Sequence, residues 1–122
     1  NCLKIMVGGE LFIPKIPSIK IVDLAKAIAP KIKPTITGVR PGEKLHEEMI
    51  TETDSMNTYE FKKYYVIFTD YNYVATNKKN FFKQLKQLKG KICKKNFSYN
   101  SKNNENFLST KDLEIILKRE SK

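Results

Sequence analysis

Hydrophobic positions along this chain fall into short blocks whose period changes from block to block. Residues 8–14, Gly-Gly-Glu-Leu-Phe-Ile-Pro, read as a short strand: glycine punctuation, then an apolar run ended by Pro14. Pro14 and Pro17 make the residues that follow an extended connector. Ile21, Leu24, Ala25 and Ile28 recur at i, i+3, i+4 and i+7, which predicts an amphipathic helix. Asp23 stands in its first turn, where negative charge suits the helix dipole, and Pro30 stops it. Thr35 to Val39 carry β-branched residues at four of five positions and predict a second strand. Strand, helix and strand within about 30 residues predict a βαβ unit with parallel strands and a right-handed crossover. A second helix is expected at once, with Pro41 at its first position and Leu45, Met49 and Ile50 as its apolar stripe.

Residues 51–58 are polar and turn-like, and Tyr64 to Thr69 form an aromatic, β-rich third strand or extended edge segment. Residues 78–95 then hold eight lysines and no acidic residue. Phe81, Leu85 and Leu88 lie at i, i+4 and i+7 there, so a basic amphipathic helix is expected before Gly90. Residues 96–106 are an Asn- and Ser-rich loop by composition. Ser109 or Thr110 signals the N-cap of a final helix with Leu113, Ile116 and Leu117 on its apolar face. The pattern is an α/β domain, with residues 1–69 as a βαβ-helix-strand lobe and 70–122 as a basic extension of the same domain.

Charge sharpens this picture. The 122 residues suit one domain, and 23 basic against 13 acidic side chains give a net charge of +10. Residues 1–61 hold 8 of each sign, so the whole excess lies in residues 62–122. A basic half invites a nucleic-acid or anionic-surface reading, in which the eight lysines of residues 78–95 supply salt-sensitive affinity for polyanions. Against it, no nucleic-acid motif is present, and arginine occurs only at 40 and 119. No apolar run approaches the length of a membrane span. Cys2 and Cys93 stand far apart without a CxxC or a His partner, which disfavours zinc, leaves a Cys2–Cys93 disulfide open and suits a reduced, cytoplasmic setting. The first residue is Asn rather than Met, so the chain is expected to be a piece of something longer, or processed.

The most informative stretch is Gly38-Val-Arg-Pro-Gly-Glu-Lys-Leu-His-Glu-Glu-Met-Ile50. On the predicted strand-to-helix junction, Arg40 meets a helix start whose unpaired N–H groups attract phosphate. Its guanidinium fork binds two phosphate oxygens at once. Glu43 offers two acceptor oxygens suited to a diol such as a ribose, and Gly42 lets a ligand approach the backbone. The plainer reading is a capped helix with Pro41 at N1 and Glu43 as a dipole-friendly residue.

Three blocks in order, Gly-Gly-Glu-Leu-Phe-Ile-Pro-Lys-Ile-Pro-Ser (8–18), Asp-Leu-Ala-Lys-Ala-Ile-Ala-Pro (23–30) and Arg-Pro-Gly-Glu-Lys-Leu-His-Glu (40–47), resemble one enzyme family. It is the C-terminal part of the inverting UDP-N-acetylglucosamine 4,6-dehydratases, which are extended short-chain dehydrogenase/reductase enzymes. The tail Phe-Ser-Tyr-Asn-Ser-Lys-Asn-Asn-Glu-Asn-Phe-Leu (97–108) also resembles that family's ending, and residues 70–96 match least. The resemblance implies a small substrate-binding lobe without the Rossmann domain, with Arg40 on the diphosphate and Glu43 on the uridine ribose of a UDP-sugar. It implies a parent lyase that oxidises the sugar at C4, eliminates water across C5–C6 and reduces C6 with inversion at C5. Such enzymes act in pseudaminic acid, flagellin-glycan, capsule and O-antigen synthesis, form homo-oligomers and use NADP or NAD.

The glycines stand only at 8, 9, 38, 42 and 90, so no GxGxxG turn is possible and no cofactor is expected on this segment. The family's Tyr-x-x-x-Lys pair has one match, Tyr59-Glu-Phe-Lys-Lys63, which lies downstream of Arg40 instead of upstream and reads as accidental. The piece alone is therefore expected to be inactive and to depend on an upstream Rossmann domain. His46, the only histidine, reads as structural, and Glu47 and Glu48 as helix-surface partners of Lys44. The six tyrosines and seven phenylalanines read as core or oligomer contacts sooner than base-stacking platforms. An assembly role for the aromatic, Asn-rich tail is the remaining alternative.

Overall fold

The computed structural model describes residues 2–6, 8–68, 80, 83 and 89–120. Its strands are β1 (Glu10–Pro14), β2 (Glu48–Ile50), β3 (Thr58–Glu60), β4 (Tyr64–Phe68), β5 (Lys91–Ile92) and β6 (Tyr99–Asn100). Its α-helices are α1 (Ile21–Ile28) and α2 (Thr110–Glu120), with 3₁₀ turns at Cys2–Lys4 and Asp54–Asn57. The fold is mixed α/β. Two compact units share the chain: Asn1–Lys15 with Glu48–Tyr99, and Ile16–Glu47 with Asn100–Lys122.

The first unit is organised by β4. It lies between β1 and β3 in an antiparallel sheet of order β1-β4-β3-β5, with Ile13 opposite Tyr65 and Tyr59 opposite Val66. Successive strand side chains point to opposite faces, and β4 buries both of its faces. Tyr65 and Ile67 pack with Ile13, Ile50 and Tyr99 on one side, while Val66 and Phe68 pack with Phe61 on the other. Tyr65 packs 5.2 Å from Tyr99 and 5.3 Å from Phe97 between ring centroids, so these aromatic residues lie in the core as expected, whereas Phe107 is exposed and Tyr71, Tyr73, Phe81 and Phe82 lie outside the described residues. The buried hydroxyls are satisfied: Ser55 donates to the Glu52 carbonyl at 2.6 Å and Thr58 to the Asp54 carbonyl at 2.7 Å. β2 pairs with β6 in a separate two-stranded ribbon that ends at the fully buried Ile50.

In the second unit α1 packs on α2. Ser109 caps α2: its hydroxyl accepts the Asp112 N–H at 3.3 Å, and the Asp112 carboxylate accepts the Ser109 N–H at 2.9 Å. Leu113 is buried, whereas the expected apolar position Ile116 is exposed.

Two sequence-based expectations fail here. Residues 35–39 form no strand, and among the described residues the strand before them, β1, pairs antiparallel with β4, so the described residues hold no parallel βαβ unit. A strand needs a partner for its N–H and C=O groups. Both edges of β4 are already taken, by β1 and β3, and Pro34 removes a donor beside the run. Nor does a helix begin at Pro41. Gly42 has φ +87°, outside the helical region, and Glu48–Ile50 are extended as β2. Residues 30–49 are exposed throughout. The lysine-rich helix expected within 78–95 falls largely outside the described residues.

Candidate functional site

Arg40-Pro-Gly-Glu43 folds as a tight turn on its own backbone. The Glu43 N–H donates to the Arg40 carbonyl at 3.0 Å, which closes a four-residue β-turn. Proline at the second position and a positive-φ glycine at the third are the type II pattern. The Glu43 carboxylate completes the turn by accepting the Arg40 N–H through Oε2 at 3.0 Å. Gly42 is thus required by its backbone angle: a Cβ built on it meets nothing within 4 Å, but its φ of +87° strains any L side chain. A turn, not a helix start, carries Arg40, Gly42 and Glu43, and all of them are exposed.

This geometry changes what the stretch can offer a ligand. The helix dipole expected beneath Arg40 is absent, so the guanidinium and the turn's own backbone are the groups with which an anion could pair here. Glu43 spends one oxygen holding the turn in shape, and a carboxylate has a second oxygen to accept hydroxyl donors. The local sequence enforces the arrangement, because proline fixes one turn angle and glycine admits the other.

The other candidates separate cleanly. His46 lies three residues beyond the turn, exposed, with Nδ1 3.3 Å from the Ser101 hydroxyl. Tyr59 is on β3 and Lys63 in the bend before β4, so they share no helix. Burial pushes the Tyr59 hydroxyl up, opposite to what a tyrosine base requires. Cys2 and Cys93 are free thiols. No cluster of potential metal ligands occurs among the described residues. Gly8 and Gly9 precede β1 instead of leading from a strand into a helix, so these residues do not fit a dinucleotide phosphate loop. Sequence reading missed Ser101 and Asn104, which bond the segment around the turn; the Asn- and Ser-rich composition of 96–106 was the available signal.

The family described as "Polysaccharide biosynthesis protein" matches residues 1–69, and the chain belongs to it. A UDP-N-acetylglucosamine 4,6-dehydratase (inverting) of Campylobacter jejuni serotype O:2 is 50% identical over 112 residues, covering 91% of this chain and 33% of that protein. The enzyme of the same name from serotype O:23/36 is 48% identical over 92% of this chain and 33% of its own length. The chain spans about a third of the length of these curated relatives. Among solved structures, that of Pen from Bacillus thuringiensis superposes with a TM-score of 0.67 at 26% identity, over 98% of this chain and 34% of the other. Among the described residues, no helix is long and apolar enough to cross a membrane.

Proposed function

We propose that this chain is the C-terminal, UDP-sugar-binding lobe of an inverting UDP-N-acetylglucosamine 4,6-dehydratase of the extended short-chain dehydrogenase/reductase type. The observation that carries the reading is the Arg40–Glu43 turn, exposed and preorganised, in a chain half identical to enzymes of that name. Arg40 holds the diphosphate through paired N–H donors, Gly42 keeps the turn backbone open to the ligand, and Glu43 accepts from the ribose hydroxyls.

The hydride chemistry belongs to a dinucleotide-binding domain upstream, which supplies NADP or NAD, and no step runs through a cofactor held by these residues. The 122 residues alone are inactive; they bind and orient the UDP-sugar in a cytoplasmic, homo-oligomeric lyase serving pseudaminic acid, flagellin-glycan, capsule or O-antigen synthesis. Ile32, Ile36, Val39 and Leu45, apolar and exposed on the segment around the turn, are consistent with a surface that the rest of such an enzyme covers.

The test is thermal. UDP and UDP-N-acetylglucosamine raise the melting temperature of the purified chain, and Arg40→Ala removes most of the shift, since a charge-assisted pair is worth about 1.5–3 kcal/mol. Unaltered melting at millimolar UDP, or a shift indifferent to Arg40, contradicts the reading. Tight duplex binding at physiological salt, indifferent to Arg40, points to the polyanion alternative instead.

A further inference from the structure

Residues 16–47 of the second unit carry α1 and then a run, 30–47, that is exposed throughout, yet the segment has defined ends. Both ends are fixed by one stretch, residues 100–108. At the far end Ser101 bonds the backbone of Glu47 twice: its N–H donates to the Glu47 carbonyl at 2.9 Å, and its hydroxyl accepts the Glu47 N–H at 3.1 Å. The same hydroxyl lies 3.3 Å from His46 Nδ1. At the near end the Asn104 amide donates to the Ile16 carbonyl and to the Ser18 hydroxyl, both at 2.9 Å. Ser18 is also held through its backbone, donating to the Asn106 carbonyl at 2.8 Å and accepting from the Leu108 N–H at 3.0 Å.

The stretch is itself stiffened by side-chain-to-backbone bonds. The Asn100 side-chain Oδ1 accepts the Lys102 and Asn103 N–H groups at 3.0 Å each, and the Asn104 Oδ1 accepts the Asn106 N–H at 3.0 Å. Asparagine and serine suit this use because their short side chains reach nearby backbone groups. The run is therefore a brace, and its composition follows from that task.

We infer that Ser101 is a positioning residue for nucleotide recognition: it fixes the chain at Glu47, four residues past Glu43, and so sets where the Arg40–Glu43 turn stands. Ser101 touches no ligand in this account. Its effect is preorganisation, because a turn held in its binding position loses less freedom when the diphosphate arrives. The inference rests on the proposed UDP-sugar reading.

The experiment is calorimetric titration of UDP into the 122-residue chain and four variants, below the melting temperature of each. Ser101→Ala weakens UDP binding about five- to tenfold, the worth of one or two hydrogen bonds. Ser101→Thr, which keeps the hydroxyl, restores it. Ser109→Ala removes a helix cap whose bonds run to Asp112 and not to Glu47, and it leaves UDP affinity unchanged although it lowers the melting temperature. Arg40→Ala abolishes binding. If the parent chain does not bind UDP, the nucleotide reading falls and this inference with it. If the parent binds and Arg40→Ala does not, yet Ser101→Ala binds as the parent does, only the inference is overturned. Equal weakening by Ser101→Ala and Ser109→Ala also overturns it, because general destabilisation then explains the loss.

Discussion

The two units of this chain are held together by different forces. The first, built on β4, contains every buried hydrophobic residue among the described ones except Leu113. The second has that leucine, one helix pair and a brace of short polar side chains bonded to backbone. A two-faced strand resists deformation because each side chain is packed on all sides. The braced segment is held at its ends and through α1 and is exposed from residue 30 to 47, which is the arrangement a recognition turn needs. The packed core lies in one stretch of this short chain and the proposed recognition turn in the other.

The largest effect expected from this contrast is in core truncation. Ile67 is 5% exposed within β4, and Ile67→Ala costs about 2–5 kcal/mol. Ile36, equally apolar by sequence, is 75% exposed, and Ile36→Ala changes stability by no more than about 0.5 kcal/mol. Urea denaturation of both variants checks this, and comparable losses would erase the distinction.

A smaller effect concerns ionisation in the packed unit. Burial pushes the Cys93 thiol up to about 11 and the Tyr65 hydroxyl to about 12, with the Glu60 carboxylate adding to both. A group whose pKa is raised by folding contributes stability below its unfolded value, and that contribution fades as pH climbs through the folded value. The first unit therefore weakens between about pH 9 and 12, the interval between the ordinary and raised values. At pH 8 the same burial leaves Cys93 slow toward iodoacetamide while exposed Cys2 reacts readily. Mass spectrometry of timed alkylation distinguishes the two sites, and equal rates would show that Cys93 is not packed as described.

The smallest effect lies in the second unit. The Ser109 hydroxyl, and next its N–H, hold the Asp112 carboxyl below the usual carboxylate range. A lowered pKa contributes stability above the unfolded value and loses it as pH falls through the folded one. Acidification below about pH 4 therefore frays α2 slightly, and Asp112→Asn removes that pH dependence. Helical amide signals followed from pH 6 to 3 measure it.

Several elements were legible from local pattern because local forces decide them. β1, α1, β4 and α2 stand where apolar period, proline stops and capping residues place them. The strand expected at 35–39 and the helix expected from 41 failed for a shared reason. Their β-branched and apolar residues describe what a segment would do with a partner, and the described residues of this unit offer no open strand edge beside it. Pro41-Gly42 carried the correct information, since that pair specifies a type II turn, but the apolar spacing of Leu45 and Met49 outweighed it. The candidate residues Arg40, Gly42 and Glu43, adjacent in sequence, do share one turn. Their scaffold was not legible, because Ser101 meets Glu47 only through the fold, 54 positions away in sequence.

The most direct test of the central claim is residue-resolved amide chemical-shift mapping of the isotopically labelled chain titrated with UDP. The account predicts saturable shifts concentrated on residues 38–47, with smaller ones at Ser101, and their disappearance in Arg40→Ala. Shifts confined to the lysine-rich 78–95 stretch, or none at millimolar UDP, would contradict it.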